Sequence, residues 1–447
     1  MKAAELERFL SPSARQATRN EIRELLKLIA QPEIISLAGG LPSPETFPVR
    51  QLTEMLPALL ERYGTEALQY GATEGDTPFR RELIRTMIEI EGEEFSQLTP
   101  DNILVTSASQ QGLDLCGRVF ITPGDVVVCG LPSYLGALGA FTACGARLTG
   151  IPLDDEGLQT DLLEQRLIDL RGRGVHPKLL YAVPDFQNPS GVTLSLARRE
   201  ELLAIAREFD LLVIEDSPYR QLRYVGDSLP SLCSLDRDGR VISLFTFSKI
   251  LSPGLRLGWV VADAEIVSRL TVAKQPVDLC TSGLSQLLAR EFLKSGLLGP
   301  QLERIRQIYS AKRTAMLAAL ERHMDPTWNL RWTRPEGGLF LWLTLPDWLD
   351  GGELLRLALD EKVAFVVGAA FHCDRSGHNT MRLNFSYPTP EQLDVAAARL
   401  AKCIGSMMDR PRPTQAAAEL LEPDLLVHAE HSLDQLSWNL ALSELVE

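Results

Sequence analysis

The sequence predicts an α/β protein: a large domain with a mainly parallel sheet flanked by helices, then a smaller α/β domain. Two patterns carry this reading. Between about residues 100 and 265, short apolar runs alternate with helical patterns, as in successive βα units. Beyond 265 the pattern changes to a long helical region, then further short apolar runs and one more helix. A chain of 447 residues is long enough for both parts.

The elements follow in order. Residues 1–30 read as helical, with Ile22, Leu25, Leu26, Leu28 and Ile29 forming an apolar stripe among arginines. Residues 34–42 are a short extended run broken by Gly and Pro, and 50–62 and 77–91 read as helices. A strand at 102–106 precedes a helix at 110–120, and a strand at 125–130 precedes a helix at 134–143. Further strands are expected at 147–152, 178–183, 211–215, 241–247 and 259–262, with a helix at 197–209 between two of them. The clearest later helix is 301–322. Strands at 338–343, 364–367 and 380–385 and a helix at 390–406 complete the pattern. Arg-Pro-Arg-Pro from residue 410 is a linker signal, and the remainder is acidic and partly helical. The expected division is an N-terminal helix and arm (1–45), a large domain (46–295), a small domain (296–408) and an acidic extension (409–447).

Composition excludes several classes. Apolar residues are 45% and charged residues 23%, as in soluble globular proteins. No window approaches the continuous apolar length of a membrane span, and the first residues lack the apolar core of a signal peptide. The net charge of −14 argues against nucleic acid as a partner. Seven scattered cysteines, never spaced Cys-x-x-Cys, read as reduced thiols in a cytoplasmic protein without a zinc site. His428 and His431 read as a solvated helix face, so no metal is expected.

The chemistry centres on Lys249. It follows the apolar run 241–247, with Ser248 before it and Arg256 seven residues on. A lysine beyond a buried strand is costly as a structural residue, yet suits an amine that must shed its charge and attack a carbonyl. Hydroxyls and an arginine nearby suit a phosphate ester, and together these are what a pyridoxal phosphate (PLP) site needs. Asp216 ends the strand 211–215, where it can pair with a pyridine nitrogen or merely cap a turn. Tyr219 can donate to the ring's 3-oxygen or simply pack. Asn188, in Gln187-Asn188-Pro189-Ser190-Gly191, marks a turn whose amide can meet the same oxygen. Ser109 and Gln110 open a helix whose N-terminal amides can cradle phosphate. Tyr134 can stack on an aromatic ring, and Arg382, on an apolar strand, can hold a carboxylate with two hydrogen bonds.

These segments, taken as a set, resemble the class I/II aminotransferases of PLP fold type I. The pattern is most similar to 2-aminoadipate (LysN-type) and kynurenine/aminoadipate aminotransferases. The motifs are Ser-Leu-Ala-Gly-Gly-Leu-Pro at 36–42, Ala-Leu-Gln-Tyr at 67–70, Ser-Gln-Gln at 109–111, Gln-Asn-Pro-Ser-Gly at 187–191, Glu-Asp-Ser-Pro-Tyr at 215–219 and Ser-Lys-Ile-Leu-Ser-Pro-Gly-Leu-Arg at 248–256. The resemblance, which runs from about residue 15 to 405, implies that Lys249 joins the cofactor covalently and shuttles the proton. It implies Asp216 at the pyridine nitrogen, Asn188 and Tyr219 at the 3-oxygen, and Tyr134 stacked on the ring. Ser109, Gln110, Thr246, Ser248 and Arg256 would bind phosphate. Tyr70 would reach the phosphate of a partner subunit's cofactor, which implies a homodimer. Gly39 and Arg382 would receive the substrate α-carboxylate, and Arg23 the distal acid of a long dicarboxylic substrate.

Some positions depart from that pattern. Ala108 stands where Gly is frequent, Thr246 replaces Ser, and Ser190 replaces Thr. Asp185 adds a negative charge beside Asn188, expected to bias substrate choice. The extension 410–447 has no counterpart in the family pattern.

The implied activity is transfer of the amino group of an L-amino acid, of 2-aminoadipate or glutamate type with aromatic and aliphatic donors left open, to a 2-oxo acid such as 2-oxoglutarate by a ping-pong mechanism. A PLP-dependent lyase or carbon–carbon bond-forming enzyme is the alternative on the same residues. A transcriptional regulator carrying this fold needs roughly 60 basic residues ahead of it, and the family pattern begins near residue 15.

Overall fold

The computed structural model describes residues 6–10 and 33–410. Residues Met1–Met407 make one compact unit and Met408–Glu447 a second. The expected helix over 1–30 and the acidic extension lie, but for a few residues, outside the described residues.

A short strand β1 (Ile35–Ser36) leads to helices α1 (Val49–Ala67) and α2 (Thr77–Glu91). Asp76 caps α2, accepting from the amide of Phe79 at 3.1 Å, and Pro78 sits in its first turn, where no N–H is needed. The chain then runs through β2 (Ile103–Thr106), α3 (Ala108–Phe120), β3 (Val126–Leu131), α4 (Leu135–Ala143), β4 (Arg147–Asp154), β5 (Gly157–Leu158), α5 (Thr160–Gly172) and β6 (Leu179–Ala182). Next come α6 (Leu196–Glu208), β7 (Leu212–Asp216), α7 (Leu232–Leu235), β8 (Val241–Thr246) and β9 (Gly258–Val261). Three helices follow: α8 (Ala264–Asp278), α9 (Gly283–Lys294) and α10 (Leu298–His323). The last elements are β10 (Arg331–Trp332), β11 (Phe340–Thr344), α11 (Gly351–Asp360), β12 (Val363–Ala364), β13 (Val366–Val367), β14 (Thr380–Asn384) and α12 (Pro390–Met408).

Eight strands form one sheet in the order β2-β9-β8-β7-β6-β3-β4-β5. Strands β4, β3, β6, β7 and β8 are parallel, each reached through a helical crossover or long connection. Strand β9 runs against both β8 and β2. The reason is local: 247–257 contains no crossover helix, so the chain turns back beside β8. That turn carries Lys249 and Arg256.

Both faces of the sheet are covered, so its central strands are mostly apolar, and the buried Ser243 and Glu215 hydrogen-bond to each other. On one face Tyr181, Ile214 and Leu244 pack with Leu113 and Phe141. On the other, Leu180 and Val213 pack with Leu163 and Leu202. Ligand-binding side chains can then project only from the strand ends and the loops beyond them.

A second sheet, antiparallel, has the order β10-β11-β14-β13. The expected strand at 364–367 is two strands: β12 pairs with β1, and β13 with β14. Thus the arm at 35–43 is fastened to the second sheet. Leu37 donates to Ala364 O at 2.7 Å, Asn384 donates to Leu37 O at 2.8 Å, and Ser386 Oγ donates to Leu41 O at 2.8 Å. Three helices were not legible in the sequence, α7 being a single turn. In α5 a narrow stripe, Leu163 and Leu167, is buried among charged residues. Helix α11 begins with two glycines that read as loop, yet Asp350 caps it through the amide of Glu353 at 2.8 Å.

Candidate active site

Every residue of β8 is buried, and the chain leaves it through Thr246 into Phe247-Ser248-Lys249. The Thr246 hydroxyl lies 2.9 Å from Ser248 Oγ and accepts from the Ser248 amide at 3.2 Å, which tightens the turn. Lys249 is thereby presented toward the arm, where its Nζ donates to Gly40 O at 2.8 Å. Burial, then the cations of Arg382 and Arg256, push its amine down to about 8. A lysine so placed is partly neutral at physiological pH and can act as a nucleophile or take up a proton. Arg256 adopts a left-handed backbone, φ 48°, with its side chain exposed beside the turn.

Asp216 closes β7 and is 2% exposed. Its Oδ2 accepts from Tyr181 Oη at 2.9 Å, and its Oδ1 is buried without a partner among the described residues. Burial raises this carboxyl to about 7, against the pull of the Tyr181 hydrogen bond. Tyr219 is also buried and stays a neutral donor, because burial raises its phenol. Its Oη accepts from Asn188 Nδ2 at 3.5 Å, and its ring meets Phe340 edge-on at 5.8 Å.

Arg382, 2% exposed on β14, donates from Nη1 to Asn188 Oδ1 at 2.9 Å and from Nη2 to Ala38 O at 2.6 Å. No carboxylate pairs with it among the described residues, its Nε is unpartnered, and Phe340 and Phe371 cover its guanidinium at 4.2 and 4.9 Å. Burial lowers it to about 10, so it remains a cation at neutral pH. A buried cation without a counter-ion is expensive unless an anion completes it. Gly39 is buried beside Ala38 on the same arm.

The turn into α3 is a second place whose groups suit an anion. Ala108 takes φ 62°, a left-handed conformation that usually favours Gly. The neighbouring strand approaches closely here: a Cβ on Gly258 would lie 2.8 Å from Ala108 C and 2.6 Å from Phe245 O. Thr246, Gly258 and the N-terminus of α3 are therefore adjacent, and the first amides of that helix suit a phosphate. The side chain of Gln110 is otherwise engaged, donating to Gly136 O at 2.9 Å and accepting from Tyr134 Oη at 3.3 Å. Gln111 fixes the turn from behind, accepting from the Ser107 amide at 2.8 Å and donating to Asp278 at 2.8 Å.

Asp185 does not present a charge to the site. It is buried between Arg199, at 2.7 Å, and Arg220, at 3.0 Å. Burial alone would raise its carboxyl, but the two arginines hold it below the usual range. Arg220 also binds Glu91. The expectation that Asp185 biases substrate choice is therefore corrected: its charge is spent inside the fold. Replacing Arg220 with Met is expected to cost about 3–5 kcal/mol of stability, because buried Glu91 loses its cation and Asp185 loses one of its two. The shift in urea midpoint measures it.

The structure thus links Lys249, the arm at Ala38–Gly40, Arg382, Asn188 and Tyr219 through hydrogen bonds and close charges, with Asp216 and Tyr134 beside Tyr219. Thr246 and Ser248 lie by the α3 turn, where Ser109 and Gln110 open the helix. Tyr70 is separate, with 78% of its surface exposed. Arg23 lies outside the described residues. Tyr181 was not distinguishable by sequence, since its role depends on strand register. It pairs with Ile214, which sets Asp216 diagonally opposite it on the same face.

An amine already partly discharged, a carboxylate with one oxygen open, and a helix N-terminus within one turn fit an aldehyde-bearing pyridine phosphate. Fold and site together define a PLP-dependent enzyme of fold type I. The chain belongs to the class I and II aminotransferases, whose family model matches residues 32–400. It is 45% identical over 404 residues to aromatic-amino-acid aminotransferase 1 of Thermococcus litoralis, covering 90% of this chain and 96% of that one. The Pyrococcus horikoshii kynurenine aminotransferase, solved with PMP, superposes with a TM-score of 0.87 at 45% identity, covering 91% of this chain and 99% of that one. LysN, the α-aminoadipate aminotransferase of Thermus thermophilus, solved with N-(5'-phosphopyridoxyl)-L-leucine, gives 0.82 at 40% identity, covering 90% and 98%. The protein is a PLP-dependent aminotransferase.

Proposed function

We propose that this aminotransferase moves the amino group of an L-amino acid, of 2-aminoadipate or glutamate type with aromatic and aliphatic donors also admitted, to a 2-oxo acid such as 2-oxoglutarate. The observation that carries the reading is the pairing of unsatisfied groups with the catalytic lysine. Asp216 Oδ1 and Arg382 Nε are both buried without partners among the described residues, and the Arg382 cation acts on Lys249. The first suits a protonated pyridine nitrogen and the second a substrate carboxylate.

PLP, when bound, withdraws electrons from the substrate α-carbon and makes its proton acidic. The protein's own groups do the rest. Lys249 Nζ would hold the cofactor and afterwards carry the proton of the substrate α-carbon. Asp216 would pair with the pyridine nitrogen, Tyr219 and Asn188 with the 3-oxygen, and Tyr134 would pack on the ring. Ser109, Gln110, Thr246, Ser248 and Arg256 would bind the phosphate, Gln110 through its main chain. Arg382 and the arm at Gly39 would bind the α-carboxylate. Arg23 receives a distal carboxylate.

The working unit in this reading is a cytoplasmic homodimer. Supporting it, Leu68 and Tyr70, just beyond α1, are 74% and 78% exposed. Tyr70 would complete the partner's phosphate site. The division at residues 46–295 and 296–408 is proposed with it, since the arm and Arg382 sit on the second sheet while Lys249 sits on the first.

Single-turnover assays with a panel of donors test the substrate assignment. Arg23→Ala is expected to slow 2-aminoadipate and glutamate by roughly tenfold or more while sparing aliphatic and aromatic donors. An equal loss on all of them would remove Arg23 from the substrate site.

A further inference from the structure

We infer that Tyr181 is a positioning residue for the cofactor: its phenol orients the Asp216 carboxylate so that Oδ1 is aimed at the pyridine nitrogen. This rests on the assignment of Asp216 to that nitrogen.

Tyr181 is 1% exposed, deep in the core on β6. Its ring packs edge-on against Phe141, centroids 5.8 Å apart, and that contact fixes where the hydroxyl lies. The hydroxyl donates to Asp216 Oδ2 at 2.9 Å, the one hydrogen bond to that side chain among the described residues. A carboxylate accepts through two oxygens and can rotate about its terminal torsion. Holding one oxygen by a rigid aromatic fixes the other, and Oδ1 is the atom left without a partner.

The same bond acts on charge. A carboxyl 2% exposed in an apolar core tends to protonate. A protonated Asp216 would pair poorly with a pyridinium. The phenol favours the anion, and burial beside Asp216 keeps Tyr181 itself a neutral donor. Thus a core tyrosine, not in contact with substrate, sets both the direction and the ionisation of the group that meets the ring nitrogen.

The test compares binding of two ligands to apoprotein by fluorescence titration: PLP, and its analogue with C–H in place of the ring nitrogen. Wild type, Tyr181→Phe and Asp216→Ala are measured with each. Tyr181→Phe is expected to weaken PLP roughly tenfold, the worth of one hydrogen bond to a charged group, and to change the nitrogen-free analogue by less than about twofold. Asp216→Ala should show the same discrimination, more strongly. If Tyr181→Phe weakens both ligands equally, the tyrosine is only a packing residue and the inference fails. If it changes neither while Asp216→Ala still discriminates, Tyr181 has no role in the pair and the inference fails alone. If Asp216→Ala does not discriminate, the assignment of Asp216 fails first.

Discussion

Lys249→Ala is expected to abolish covalent capture of PLP and to lower turnover by at least about 10³-fold, since both the attachment and the proton transfer depend on one amine. Borohydride reduction followed by peptide mapping reads the first effect directly: wild type should carry the reduced cofactor on the peptide containing Lys249, and the variant should carry none. The setting of this lysine favours it as the reacting amine. It leaves β8 on a turn braced by Thr246 and Ser248, meets no carboxylate among the described residues, and feels Arg382 and Arg256. Its pKa of about 8 also sets a pH dependence. The neutral amine is the nucleophile, so the rate of PLP capture by apoprotein should rise with pH through about 8 and level off above it. A flat profile between about pH 6 and 9 would show that the lysine is not discharged by its surroundings.

Arg382→Met should lower kcat/KM for α-amino acids by roughly 10²–10³-fold, the cost of removing one member of a desolvated charge pair. The loss should fall equally on donors of every side chain, because the α-carboxylate is common to all. Amines without that carboxylate should be unaffected, which separates lost recognition from a disturbed fold. Arg382 is also bonded to Asn188 and Ala38, so Arg382→Lys is the informative companion: it keeps the charge but loses the fork. Recovery of less than about a tenth of wild-type activity in that variant would point to bidentate geometry as the requirement.

Much of this was legible in the chain itself. Apolar runs ending in Asp216 and Thr246 marked the parallel strands and the ends where polar groups can leave a sheet buried on two faces. What the sequence left open depended on register and on distant partners. Tyr181 acquires meaning only when β6 and β7 are aligned. Asp185 looked like a charge at the site, and only the fold shows Arg199 and Arg220 on either side of it. The reversed direction of β9 follows from a missing crossover helix, which periodicity within one strand does not report. Ala108 was visible as a departure. Its left-handed backbone shows that the turn keeps the conformation a glycine would take, despite the added Cβ.

Amino transfer itself can be tested in one experiment. The purified enzyme, loaded with PLP, is mixed with L-2-aminoadipate or L-glutamate in the absence of any 2-oxo acid, and the cofactor and products are quantified after one turnover. The proposed function predicts one equivalent of pyridoxamine phosphate and one of the matching 2-oxo acid per active site, with reversal on adding 2-oxoglutarate. Consumption of the amino acid with the cofactor still present as PLP, accompanied by free ammonia or a cleaved carbon chain, would contradict it.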